Sequence, residues 1–259
     1  MTCSCTSPRQ VTVNTPQGRE TNYPPTYEPA AGRVEEIQEA WRKFLVEAQL
    51  PFSRLDLEPV FNTPRSLPAE LVGRINLLAK KSDAIGEMKA KEAVREFLER
   101  TSGIFGGDPR DLSLISFSST GKSYNFVYQQ ANYTFPLASG YGELRVEIDK
   151  AGRLLALSSS IVPKLDLPTS PSLHPEEFVD KLIGREFSYT TIAGQLQTYR
   201  IAKREEITVD DPVVYPKRQG DKLTIHLAYP VVVGNEMTWT VFIDAIDGEE
   251  VAVNQNFAS

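Results

Sequence analysis

Histidine and cysteine, the side chains that most often bind metals or act as catalytic bases and nucleophiles, are scarce in this chain of 259 residues. Its two histidines are His174 and His226, and neither belongs to an H-E-x-x-H sequence, so the helical zinc motif of many metalloproteases is absent. His226 falls on the polar face of a strand-like stretch, where we predict a solvated or rim imidazole rather than a metal ligand, since a catalytic zinc ion needs about three protein ligands. There is no G-x-S-x-G sequence, and no histidine stands beside a nucleophile in the sequence. The sequence therefore predicts no catalytic residue, no metal site, no cofactor and no enzymatic activity.

Both cysteines, Cys3 and Cys5, lie near the start of the chain, where a disulfide between them would be strained and would close almost no loop. A cysteine followed by Ser, Thr and Pro resembles the mature end of a bacterial lipoprotein. We therefore treat Cys3 and Cys5 as candidate lipidation sites and expect an extracytoplasmic protein (secreted, periplasmic or a surface lipoprotein) whose signal peptide is not in this chain. A disordered cytosolic tail explains the same composition equally well.

Two aspartates stand at equivalent places before glycine turns, and paired carboxylates are a frequent form of acid–base catalyst. Asp149 precedes Gly152, and Asp244 precedes Gly248. We predict a structural role for both pairs, because aspartate side chains accept hydrogen bonds from turn amides and glycine takes the left-handed position.

The overall composition excludes several classes of partner. The formal net charge is -6, and no basic stripe of the kind that binds nucleic acid occurs. The longest apolar run, from Leu227 to Val233, is far shorter than the roughly 20 residues of a membrane-spanning helix. We expect membrane contact only through an N-terminal lipid anchor.

The pattern along the chain predicts six segments. Residues 1–33 are rich in proline and polar residues and predict a disordered tether. Residues 34–88 predict a helix that ends at Pro51, followed by extended chain and one short helix. Residues 89–162 predict a helix closed by Gly103 and then four strands, and a linker follows at 163–174. The predicted strands are 112–119, 124–131, 142–149 and 153–159. Residues 175–253 predict another helix, whose apolar face reaches Phe187, and five strands, of which the longest is 222–233; residues 254–259 form a C-terminal tail.

The two longer segments repeat the same order of elements, because each opens with a helix and closes with a hairpin that contains one of the Asp–Gly turns. This repetition predicts an α+β fold of two tandem helix-plus-antiparallel-sheet units with an N-terminal helical extension.

Residues 89–253 resemble the propeptide of fungalysin/thermolysin-type metalloproteases, which joins an FTP domain to a PepSY domain. In the first unit the resemblance lies in the sequence GIFG at 103–106, in YQQ at 128–130, in FPL at 135–137 and in the hairpin sequence at 141–153. In the second unit it lies in LAY at 227–229 and in the run at 239–249, which matches the end of a PepSY repeat. The resemblance implies cystatin/PepSY-like units without a catalytic domain.

The resemblance also implies a function. Such propeptides help a thermolysin-like zinc protease to fold and block its cleft, so we expect this chain to bind and inhibit such a protease or to assist its folding. Its C-terminal residues would then enter the cleft, with Phe257 in an apolar pocket and Asn256, Ala258 and the Ser259 carboxylate beside it. A frayed terminus is the alternative for these residues.

Two other functions stay open at this point. A stand-alone surface or periplasmic protein could keep the fold and bind an extended peptide at an open sheet edge. A hydrolase with an unrecognised polar site is the least favoured. The sequence does not decide whether the chain is an excised propeptide or a natural stand-alone protein, and it leaves the oligomeric state unknown.

Overall fold

Antiparallel strand pairs and a few helices build an α+β fold in the computed structural model, which describes residues 23–78, 84–235 and 237–257. The helices are α1 (Arg33–Glu47), α2 (Glu87–Arg100), α3 (Ser102–Phe105) and α4 (Glu176–Leu182). The strands are β1 (Thr26–Tyr27), β2 (Asp56–Leu57), β3 (Pro64–Ser66), β4 (Leu112–Ser119), β5 (Ser123–Gln130), β6 (Glu143–Asp149), β7 (Leu154–Ser159), β8 (Glu186–Thr190), β9 (Leu196–Arg200), β10 (Ile207–Val209), β11 (Val213–Gln219), β12 (Lys222–Val233), β13 (Trp239–Asp244) and β14 (Glu250–Gln255). No helix in the described residues is long and apolar enough to cross a membrane.

The first sheet has the order β4-β5-β6-β7, and three helices share its core. Apolar residues three or four apart give α1 a buried face at Ile37, Trp41 and Phe44. The rings of Phe44 and Phe97 meet with their centroids 5.6 Å apart, which joins α1 to α2. The predicted N-terminal segment 34–88 therefore belongs to the same hydrophobic core as the strands of 89–162.

The end of the second helix differs from the prediction. Gly103 was expected to close α2, but it lies inside the short helix α3. The left-handed residue is Gly106, with φ +78°. An apolar pair, Ile104 and Phe105, is buried in the core, so the chain makes one further helical turn before it leaves.

The second sheet is built around the long strand β12. Strands β10 and β11 pair with one side of it, β13 pairs with the other side at residues 228–233, and β14 follows β13. Since Thr224 pairs with both Lys217 and Thr26, the short strand β1 occupies the β13 side of β12, beyond the point where β13 turns away. The hairpin β8–β9 is a separate two-stranded sheet.

Part of the predicted tether is ordered. Residues 1–33 were expected to be disordered, but β1 pairs with β12 and α1 already begins at Arg33. The backbone groups of residues 25–27 find partners on the open side of β12, and these hydrogen bonds offset the loss of chain entropy. Cys3 and Cys5 lie outside the described residues.

Candidate functional site

The first aspartate turn has the geometry of a capped hairpin. Asp149 Oδ1 accepts hydrogen bonds from the backbone N–H groups of Ala151 (2.9 Å) and Arg153 (2.8 Å). Gly152 has φ +81°, and a Cβ atom there would lie 2.8 Å from the Leu78 side chain. The carboxylate is therefore used by its own turn, and the glycine is required both by backbone conformation and by space.

The second aspartate has a similar turn and additional partners. Asp244 Oδ1 accepts from the Ile246 N–H at 2.8 Å, and Gly248 has φ +79°. The Asp244 side chain is only 1% exposed, and its Oδ2 atom lies 2.8 Å from the Tyr23 hydroxyl and 2.7 Å from His226 Nδ1. A carboxylate buried this deeply needs such donors, because an unpaired charge in the interior is costly. The two predicted turn aspartates thus differ in surroundings, and they lie in different sheets.

His226 is more enclosed than a fully solvated side chain. A solvated or rim imidazole was expected, and the side chain is 13% exposed and lies between Asp244 and Thr224, with Nε2 3.2 Å from the Thr224 hydroxyl. The N-terminal segment produces this burial, because the Tyr23 ring meets the imidazole edge to face at a centroid distance of 6.3 Å. Alternation along β12 places His226 and Thr224 on one face, but it contains no information about the distant segment that covers them.

The Asp244, His226 and Thr224 side chains are linked by hydrogen bonds in the order acid–histidine–hydroxyl, as in the catalytic triad of a hydrolase. The sequence analysis expected no nucleophile beside a histidine. The surroundings favour a structural role. Thr224 is 8% exposed, its hydroxyl also donates to the Lys217 carbonyl at 3.3 Å, and strands on both sides pair with its backbone. The hydroxyl is therefore buried and already has two hydrogen-bond partners, the Lys217 carbonyl and His226 Nε2. The cluster therefore joins the segment that precedes β1, through Tyr23, to β12 and β13 by hydrogen bonds.

Tyr23 is the residue that sequence reasoning missed in this cluster. Its hydroxyl donates to Asp244 and accepts the Leu227 N–H at 3.0 Å. Burial, reinforced by the neighbouring Asp244 charge, raises the pKa of Tyr23 far above its usual value, so the hydroxyl stays protonated and remains a donor. Tyr23 belongs to no recognisable motif, and its proline and polar neighbours are typical of a disordered segment.

The predicted cleft-binding tail is packed on the chain's own sheet. The Asn256 N–H donates to the Thr238 carbonyl at 3.0 Å, which continues the pairing of β13 and β14 by one residue. The Phe257 ring lies edge-on to Trp239, with centroids 5.0 Å apart, and 5.4 Å from Tyr189. In this arrangement the Phe257 ring packs within the chain, and its insertion into a pocket of a partner stays a prediction. Ala258 and Ser259 lie outside the described residues.

Within residues 23–78, 84–235 and 237–257, no three His, Cys, Asp or Glu side chains come together as metal ligands. An edge strand of the first sheet offers backbone groups to which an extended peptide could pair. Strand β4 is the edge of the first sheet and carries exposed Leu114 (39%) and Ile115 (58%). Its pairing with β5 shifts register at Ile115, which is a β-bulge. The strand contains no charged residue, whereas edge strands are usually protected by charges.

Comparison with known proteins gives a partial relationship. No family model matches the chain. It is 30% identical over 178 residues to the thermostable neutral protease NprT of Geobacillus stearothermophilus, an alignment that covers 63% of this chain and 29% of that protein. Among solved structures, the Bacillus megaterium YpeB C-terminal domain aligns with 75% of this chain and 73% of its own, at 12% identity and a TM-score of 0.29. The chain therefore spans less than a third of its protease relative, and it is weakly homologous to that part of a neutral protease.

Proposed function

We propose that this chain is a non-catalytic, propeptide-like module that binds a thermolysin-like zinc metalloprotease and inhibits it or assists its folding. One observation carries the proposal: the chain is 30% identical to a stretch of a neutral protease that makes up 29% of that protein, yet it contains no H-E-x-x-H sequence. A chain that is similar to part of a protease but lacks the zinc motif is expected to serve a protease rather than to cut peptides.

The two hairpin turns support the finer proposal of tandem FTP-like (89–162) and PepSY-like (175–253) units. In both turns an aspartate Oδ1 accepts the N–H two residues later, and a glycine with positive φ follows. Each turn joins the last two strands of its sheet, β6–β7 in one and β13–β14 in the other. Shared turn chemistry at the same place in two sheets is what a duplicated unit predicts.

An extracytoplasmic location is part of the same proposal, because a module of this kind must meet a protease that acts outside the cytoplasm. Lipid attachment at Cys3 or Cys5 would hold the module at a membrane surface.

Titration of a purified neutral protease with the folded chain tests the proposal. We expect saturable inhibition while the chain stays intact on a gel, which separates inhibition from competition by a substrate. A parallel assay measures the yield of active protease refolded from denaturant with and without the chain. A heat-unfolded sample of the same chain is the matched control. If the folded chain causes no inhibition and no increase in the refolding yield, the proposal is contradicted.

A second candidate function rests on the uncharged edge strand β4. A stand-alone module would bind an extended peptide there by adding a strand, since backbone N–H and C=O groups at an edge pair with any extended chain. The variant Ile115→Lys places a charge on this edge without removing a buried side chain. Peptide binding by the parent that this variant abolishes, together with no effect on any neutral protease, would favour the second function.

A further inference from the structure

The hairpin β8–β9 carries two of the most exposed large apolar side chains in the described part of the chain. Ile192, in the connecting loop, is 90% exposed, and Leu196, where β9 begins, is 75% exposed. Both face water at the end of a narrow two-stranded ribbon, while the other end of the ribbon is buried at Phe187. Because Leu196 pairs with Thr190 at the base of the loop that holds Ile192, both exposed apolar side chains belong to one tip, and a local apolar patch marks a place of interaction.

The sequence of this hairpin is also free of charge. From Phe187 to Tyr199 there is no Asp, Glu, Lys or Arg, although these residues make up 24% of the protein. A solvated hairpin usually carries charges that keep it soluble. The depletion of charged residues is typical of the centre of a protein interface. A lipid surface is less favoured as the partner, because peripheral membrane binding usually adds basic residues to the apolar ones.

Hydrogen bonds fix the shape of the loop. Two hydrogen bonds join Thr191 to Gln195 across the loop. The Thr191 N–H donates to the Gln195 carbonyl at 2.9 Å, and the Gln195 N–H donates to the Thr191 hydroxyl at 3.1 Å. The Gly194 N–H donates to the Thr191 carbonyl at 2.8 Å. A loop that is already ordered loses little conformational entropy on binding, so the exposed Ile192 is presented in a fixed position.

Aromatic stacking holds the base of the hairpin against the second sheet. The rings of Phe187 and Tyr199 stack on the Trp239 indole at centroid distances of 5.0 Å and 5.3 Å. Across the ribbon, the Tyr189 hydroxyl donates to Gln197 Oε1 at 2.6 Å. The hairpin is thus a rigid extension of the sheet, and its tip is an apolar projection.

We propose that the tip of β8–β9, with Ile192 as anchor and Leu196 beside it, inserts into an apolar side-chain pocket in the substrate cleft of the partner protease. This inference rests on the proposed function and names a binding element other than Phe257, whose ring packs on Trp239 and Tyr189. A narrow ribbon with one leading branched side chain fits a concave cleft that accepts extended peptides, whereas a flat partner surface requires a broader patch. A protease with an apolar specificity pocket is therefore the partner that the tip fits.

Inhibition constants of three variants against a neutral protease test the inference. Ile192→Ser removes the anchor, and we expect it to weaken inhibition by about 30-fold, the effect of losing an interface hot spot. Ile192→Val keeps a branched apolar side chain and should retain most of the inhibition. Met88→Ser is the matched control, because Met88 is 85% exposed on a different element, and it should inhibit as the parent does. Thermal unfolding of Ile192→Ser should match the parent, since the side chain makes few contacts within the chain.

The outcomes separate this inference from the function on which it rests. If the parent and Ile192→Ser inhibit equally, the anchor assignment is wrong and the protease-binding function stands. If the parent shows no binding to the protease, both fall. Binding of the parent to phosphatidylcholine vesicles that Ile192→Ser abolishes, with inhibition unchanged, would overturn the inference in favour of a lipid surface. Inhibition lost only in Ile192→Ser, and retained in Ile192→Val and Met88→Ser, would support it.

Discussion

Replacement of Tyr23 by phenylalanine should destabilise the fold although it removes a single oxygen atom. The hydroxyl donates to the buried Asp244 carboxylate at 2.8 Å and accepts the Leu227 N–H at 3.0 Å. A hydrogen bond to a charged group contributes about 1.5–3 kcal/mol, and an N–H left unpaired in the interior costs about 1–3 kcal/mol. Because water can reach part of the vacated site when the segment loosens, we expect a loss of about 2–3 kcal/mol in the free energy of unfolding.

Urea denaturation followed by circular dichroism measures this loss, and the same segment supplies the control. Tyr27 lies four positions later and pairs in β1, and its hydroxyl has no hydrogen bond to any described residue. Tyr27→Phe therefore removes the same atom from the same segment, and we expect a change of less than about 0.5 kcal/mol, as for ordinary surface substitutions. Equal stabilities of the Tyr23→Phe and Tyr27→Phe variants would refute the structural role of the buried cluster.

Three further outcomes are expected. Gly152→Ala should lower the free energy of unfolding by about 2–3 kcal/mol in a urea titration, because it combines left-handed backbone strain with a Cβ atom 2.8 Å from Leu78. The control Gly140→Ala has the same backbone strain, but its Cβ atom meets nothing within 4 Å, so it should cost about 1 kcal/mol. Phe257→Ala should lower stability by about 1 kcal/mol in the same assay through lost ring packing, and no change would mean that the tail is not docked. Burial raises the pKa of Tyr128 to about 12, so the folded state keeps a proton that the unfolded chain loses near pH 10. The free energy of unfolding should therefore fall as the pH rises from about 10 to about 12. Urea midpoints measured across that range should show a smaller fall in Tyr128→Phe.

Local patterns in the sequence predicted several of the longer strands, although β8, with Phe187, was expected to belong to a helix. Leu112–Ser119 and Lys222–Val233 were predicted with the bounds that the structure shows, because alternating apolar residues and turn signals are properties of neighbouring residues. The strand 143–149 was expected to begin one residue earlier, a difference within the usual uncertainty of element ends.

The features that the sequence did not predict depend on contacts between distant residues. The environment of His226 is set by Tyr23, which is 203 positions away and lies in a segment of tether-like composition. The position of Phe257 depends on a surface formed by Trp239 and Tyr189, which no periodicity indicates. At the tip of β8–β9, the two apolar residues are visible in the sequence, but their exposure is known only once the hairpin is seen to leave the sheet.

The pairing of β1 with β12 also constrains the order in which the protein can fold. Residues 26–27 are made early, but their partners, Thr224 and Leu223, leave the ribosome only after most of the chain has been synthesised. The helices and strands of the first sheet are complete once residue 159 has been synthesised, so this sheet can fold before β12 is made. The N-terminal strand must wait in an unpaired state, and contacts of such large sequence separation form slowly. Completion of the fold is therefore coupled to the arrival of the C-terminal sheet, and a chain that is truncated before β12 would leave its N-terminal segment without a partner.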